Sequence, residues 1–213
     1  MMLALAAALL ALQPAPAHRW TAVIAPADEC AADRDFADFR ARLLDVLARR
    51  DVAQLRELVA QDVFYSFGGS DGRDAFFAQW GLNDPAASAL WTSLAEVLML
   101  GCARRGAEMV APYAFANWPE FDGVGMSFLA RPGAGLYERP SAESDPVATL
   151  AWHVVEDLSQ GEGVPESAWR RVRLADGRTG FVRDSELRSD IDFRAIFERR
   201  GGRWLLTTFV AGD

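Results

Sequence analysis

The chain has 213 residues and a formal net charge of −8, and all 22 of its basic residues are arginine. That acidic balance speaks against general nucleic-acid binding, because neutralising phosphates takes clustered positive charge. With two histidines and two cysteines in all, a catalytic zinc centre built on several imidazoles is disfavoured, and the sequence implies no metal and no cofactor.

The N-terminus runs from Leu5 to Leu12 without a charge and reaches Ala15-Pro16-Ala17 just before His18-Arg19. An apolar stretch of this length followed by small residues reads as a signal peptide over residues 1–17, too short to cross a bilayer as a helix. The remainder has no apolar segment long enough to span a membrane, so the mature chain is expected in the periplasm or secreted. In that oxidising setting the two cysteines, Cys30 and Cys102, are candidates for a disulfide.

From Asp35 onward, Phe36, Phe39, Leu43, Leu44 and Leu47 recur at the spacing of one helical face. Asp33 or Asp35 can cap its start, and Asp51 can cap a second helix through Val52, Leu55, Leu58 and Val59. The run Asp62–Phe67 turns β-rich. Phe76, Phe77 and Trp80 then mark a helical side within 73–80, and Leu90, Trp91, Leu94, Val97 and Leu98 mark another within 86–100. Residues 108–115 read as a strand or extended arm interrupted by Pro112, with a domain seam after it. The N-terminal α+β part is thus placed at residues 30–122.

After Gly125 the text changes to short strands separated by turn residues, over 126–130, 135–139, 147–150, 153–158, 169–174 and 179–182. Such spacing predicts a small β-barrel, in which closure removes exposed edges. The sharpest signal is Asp176-Gly177 between two β-rich runs, which suits a tight hairpin.

Two stretches carry a resemblance. Gly135-Leu136-Tyr137-Glu138-Arg139-Pro140-Ser141, and Trp169 through Val182 with its Asp176-Gly177-Arg178-Thr179-Gly180-Phe181-Val182 ending, are similar to the bacterial Src-homology-3-like (SH3-like) domain. The opening departs from the family pattern in that Arg139 and Pro140 are adjacent. The resemblance implies a barrel over 124–189 that binds cell-wall peptides or other envelope proteins. Read from the residues alone, Tyr137, Trp169 and Arg173 offer an aromatic and guanidinium surface, with Arg139 nearby, suited to a peptide or a carboxylate. The same rings are also what a barrel this small needs to fill its interior.

Residues 192–198 and 204–210 alternate or run apolar around Arg200-Gly201-Gly202-Arg203 and predict a β-hairpin. The barrel needs no further strand, so this hairpin, over 190–213, is expected to return to the N-terminal part and complete it. The fold class predicted is α+β, with the barrel inserted ahead of the hairpin. The helix-helix-strand opening and terminal hairpin resemble the nuclear-transport-factor-two-like fold, which lends no function by itself.

The functional expectation is a binding or scaffolding protein of the cell envelope. The rival is a small-molecule-binding or isomerase-like enzyme with an apolar pocket lined by Tyr65, Phe77, Trp80 and Trp91 and a carboxylate base at Asp62 or Asp71. A Cys-His nucleophilic pair is disfavoured, since Cys102 follows a helix instead of starting one and His153 falls within the barrel text.

Overall fold

The computed structural model describes residues 23–69, 72–118, 125–143, 145–159 and 168–212, and the chain over these residues is mixed α+β. The signal-peptide reading over residues 1–17 and the candidate base Asp71 lie outside them.

Helix α1 (Arg34–Arg49) starts where the Asp33 carboxylate accepts the Phe36 amide at 3.0 Å and stops at Arg50, which turns left-handed at φ 54°. Asp51 at once caps α2 (Val52–Leu58) by accepting the Gln54 amide at 3.0 Å. Each cap satisfies an amide that the first turn of a helix leaves without an internal partner. Strand β1 (Val59–Phe64), helices α3 (Arg73–Gln79) and α4 (Leu90–Met99), strands β2 (Ala103–Arg105) and β3 (Glu108–Ala111) and the short helix α5 (Tyr113–Ala116) follow.

Three boundaries differ from the sequence expectation. Strand β1 begins at Val59, three positions ahead of Asp62, because Val59 and Ala60 are buried; Phe67, placed within that strand by pattern, lies past its end and is half exposed. Helix α4 starts at Leu90 instead of Ala86, since Ser88 is held by its hydroxyl to the Trp80 carbonyl at 2.6 Å and in turn accepts the Leu90 amide at 3.3 Å. The extended run through Phe115 ends at Ala111, where Pro112, which has no amide to donate, turns the chain into α5.

The C-terminal hairpin, β11 (Arg194–Arg200) and β12 (Arg203–Val210), closes through Gly201 and Gly202, both at positive φ as a two-residue hairpin turn requires. It sits inside the first sheet, whose order is β1-β12-β11-β3-β2. β12 runs parallel to β1, with Val59 opposite Leu206, and β11 runs antiparallel to β3, with Ala195 opposite Ala111. Helices α1, α3 and α4 cover this sheet with a core in which Phe36, Phe76, Phe197 and Phe209 are fully buried.

Between β3 and β11 the chain makes an excursion through β4 (Met126–Leu129), β5 (Pro132–Leu136), β6 (Ala148–Ala151), β7 (Val154–Asp157), β8 (Trp169–Leu174), β9 (Thr179–Arg183) and β10 (Leu187–Ser189). A second five-stranded sheet, ordered β10-β4-β7-β8-β9, is antiparallel throughout, and β5 and β6 form a separate two-stranded ribbon. A bridge between Tyr137 and Phe181, with both amides donating at 2.8 Å, ties the ribbon to β9. Leu136, Val155, Val172 and Val182 form a core of their own.

A third apolar cluster joins the two parts. Leu100 and Ala114 of the helical side pack with Met126, Phe128 and Val154 of the second sheet, and Ile24 of the N-terminal arm completes the group. The arm continues into Cys30, which is disulfide-bonded to Cys102 with Cα atoms 5.7 Å apart.

Candidate functional site

Trp169 opens β8 and Tyr137 follows β5, and their rings meet at 83° with centroids 5.1 Å apart. Tyr137 folds back over its own strand: a Cβ at Gly135 would lie 2.5 Å from the tyrosine Cε2, so only glycine leaves room for the ring there. Arg183, the register partner of Trp169 across the Asp176-Gly177 hairpin, lays its guanidinium 5.1 Å from the indole centroid. Both rings are half buried. Two half-buried aromatic rings and a guanidinium with its N–H donors thus stand together.

Of the four residues singled out from sequence, the structure brings together Tyr137 and Trp169. Arg139 is exposed on the turn beyond Tyr137. Arg173 faces Glu156 across the β7–β8 pair and donates to its carboxylate at 2.5 Å. The guanidinium beside the aromatic pair is that of Arg183. The sequence held a signal for it, because counting outward from Asp176 along a two-stranded hairpin places Arg183 opposite Trp169.

Of the two carboxylates offered as a base, Asp71 lies outside the described residues. Asp62 is an exposed carboxylate bound to Arg200 at 2.5 Å. Trp80 packs against Phe193 and Phe209, with centroids 5.2 and 5.4 Å away, and Tyr65 packs against Phe76 at 5.9 Å. Trp91 donates its indole N–H to the Pro85 carbonyl at 2.6 Å. Phe77 and Trp91 belong to the first core and Tyr65 and Trp80 pack against it, with Trp91 also lining a cleft toward the second sheet. His153 bridges to Val23 through the backbone, and its Nδ1 is engaged by the Ala151 main chain. Cys102 is held in the disulfide and has no thiol to offer. Among the described residues no group of three or more His, Cys, Asp and Glu side chains is placed to hold a metal ion, and no helix is long and apolar enough to cross a membrane.

No family model, curated protein or solved structure matches the chain.

Proposed function

We propose that this protein is exported and serves in the cell envelope as a binding or scaffolding protein, with residues 124–189 forming an SH3-like module inserted into an α+β domain. Strands β3 and β11, which flank the excursion, are neighbours in the first sheet, so the segment leaves and re-enters one domain as an insertion does. Within the excursion the first and last strands, β4 and β10, pair with each other, with Leu129 opposite Leu187. The ribbon is tied to the far edge at Tyr137 and Phe181. Two pairings favour a barrel-like arrangement, since covering strand edges is what such a fold achieves, while β10 and β9 remain the outer strands of the second sheet. Export draws its support from residues 1–17 and from the Cys30–Cys102 bridge, which suits an oxidising compartment.

The observation that carries the binding role is the edge-to-face pair of half-buried Tyr137 and Trp169 with the exposed Arg183 guanidinium over the indole. Aromatic faces accept peptide backbone and apolar side chains at little entropic cost, and an arginine stacked on one of them is aimed and ready for a carboxylate. The ligand is accordingly a carboxylate-bearing peptide, of the cell wall or of an envelope protein. Retention of the mature protein on purified peptidoglycan, compared with pulldown from envelope extract, tests this. Trp169→Ala and Tyr137→Ala are each expected to lower retention about tenfold or more with the circular dichroism spectrum intact, and equal retention by the folded variants removes the surface as the binding site.

A further inference from the structure

A cleft of about 790 Å³ opens where the helical layer meets the second sheet. Its floor is apolar: Leu44 and Leu47 come from α1, Trp91 and Met99 from α4, and Leu187 faces them from β10. Met99 is 74% exposed on this floor, unusual for a side chain with no polar group. The volume lies within the ~300–1,000 Å³ typical of small-molecule sites, and the position, between two separately packed cores, is where such sites concentrate.

The charges around the cleft differ in sign from the protein as a whole. Arg50, Arg131 and Arg188 line it against Glu96 and Asp192, in a chain whose net charge is −8. Arg50 has one Nη committed to the Ala86 carbonyl at 2.6 Å. Arg131 stands exposed at the end of β4. Arg188 is the informative one. Its side chain is only 14% exposed, yet among the described residues its five N–H groups find a single stretched bond, 3.4 Å to the Phe193 carbonyl, and a loose ion pair, 3.7 Å to Asp192. Its Nε is buried without a hydrogen bond. A guanidinium so enclosed is ordinarily saturated with acceptors, since leaving its donors unmet forfeits the hydration it has given up.

We propose that the cleft binds a small amphipathic carboxylate, with an alkyl-type body along the Leu44, Leu47, Trp91 and Met99 floor and its carboxylate accepting from Arg188 and Arg131. The two arginines select for the anion, while the leucines and the adaptable methionine accept the apolar body with little demand on its shape. This site is separate from the aromatic surface around Trp169 and stands without it.

Isothermal titration calorimetry of the mature protein with decanoate tests the assignment. One decanoate per chain is expected, and decyltrimethylammonium, which keeps the chain and reverses the charge, is expected not to bind. Arg188→Met should weaken decanoate about tenfold or more and Arg131→Gln, at an exposed position where folding is not at stake, severalfold; Ala95→Trp, which fills the cleft, should abolish it. Trp169→Ala should bind as the parent does. Absence of decanoate binding, equal binding of the cationic probe, or parental affinity in both folded arginine variants overturns the proposal.

Discussion

The amide of Ile24 donates to the carbonyl of Trp152 at 2.9 Å, so the arm that leads to Cys30 is bridged to the chain just ahead of β7. Further along, Ala27 accepts the Cys102 amide and Glu29 donates to the Cys102 carbonyl, each at 2.9 Å, and the disulfide pins the arm there. The arm therefore ties the second sheet to the helical side beside the apolar cluster that already joins them. Removing the bridge in a Cys30→Ala/Cys102→Ala double variant should cost about 2–4 kcal/mol, the range set by closure of a long loop. Urea unfolding measures the loss, and amide exchange at Ile24 and Glu29, whose N–H groups donate along the arm, should accelerate alongside it. A variant with the parental midpoint and parental exchange would mean that the arm is held by its backbone bonds alone.

Arg183 and Arg173 lie on adjacent strands and give opposite expectations. Arg183→Met strips the guanidinium from the Trp169 face and should reduce ligand retention severalfold with little change in stability, because the arginine is exposed. Arg173→Met leaves Glu156 without its cross-strand partner and should cost roughly 0.5–1 kcal/mol, with retention unchanged. Retention and thermal melts measured on both variants separate the two roles, and a retention loss confined to Arg173→Met would relocate the binding surface.

Gly180 and Gly177 are both in or beside the Asp176-Gly177 hairpin, and the geometry favours glycine at each for a different reason. A methyl group at 180 would meet Leu136 Cδ1 at 2.7 Å and the Tyr137 carbonyl oxygen at 2.9 Å, where the ribbon lies on β9. Gly180→Ala should therefore destabilise by about 1–3 kcal/mol through overpacking. At Gly177 nothing lies within 4 Å, but φ is +87°, so Gly177→Ala should cost about 1 kcal/mol through backbone strain alone. Only the first should also disturb the Tyr137 ring and with it ligand retention.

What could be read in advance follows how local the controlling physics is. The caps at Asp33 and Asp51 and the hairpin at Asp176-Gly177 are set by side chains within a few positions of the backbone they serve, and the sequence pattern placed them. Strand β2 escaped notice because Ala103–Arg105 is too short for an alternating pattern and exists through its pairing with β3. Leu44 shares the apolar period of α1 with Leu43 and Leu47, yet it is only half buried and opens onto the cleft; a helical period cannot say where the neighbouring layer ends. The cleft itself draws on α1, α4, β4 and β10, and no window of sequence contains it. That Glu156 stands directly opposite Arg173 follows from the β7–β8 register, which no single stretch of sequence contains.

The arm also has an electrostatic lock with a definite pH dependence. Arg40 on α1 donates to both carboxylate oxygens of Asp28, at 2.7 and 2.5 Å, and this hydrogen bond holds the Asp28 carboxyl below the usual aspartate range against the opposing effect of burial. A carboxyl whose folded pKa is depressed contributes its stabilisation in full above the unfolded value, about 3.9, and loses it as the pH falls through the folded value. With the Asp28 side chain 40% exposed, solvent screening limits the contribution to roughly 0.5–1 kcal/mol. Urea midpoints of the parent and Asp28→Asn should therefore differ at pH 6 and converge at the acid end, once protonated Asp28 is as neutral as asparagine. A gap that stayed constant down to the acid limit would show that Asp28 acts by its shape and hydrogen bonds, with its charge irrelevant.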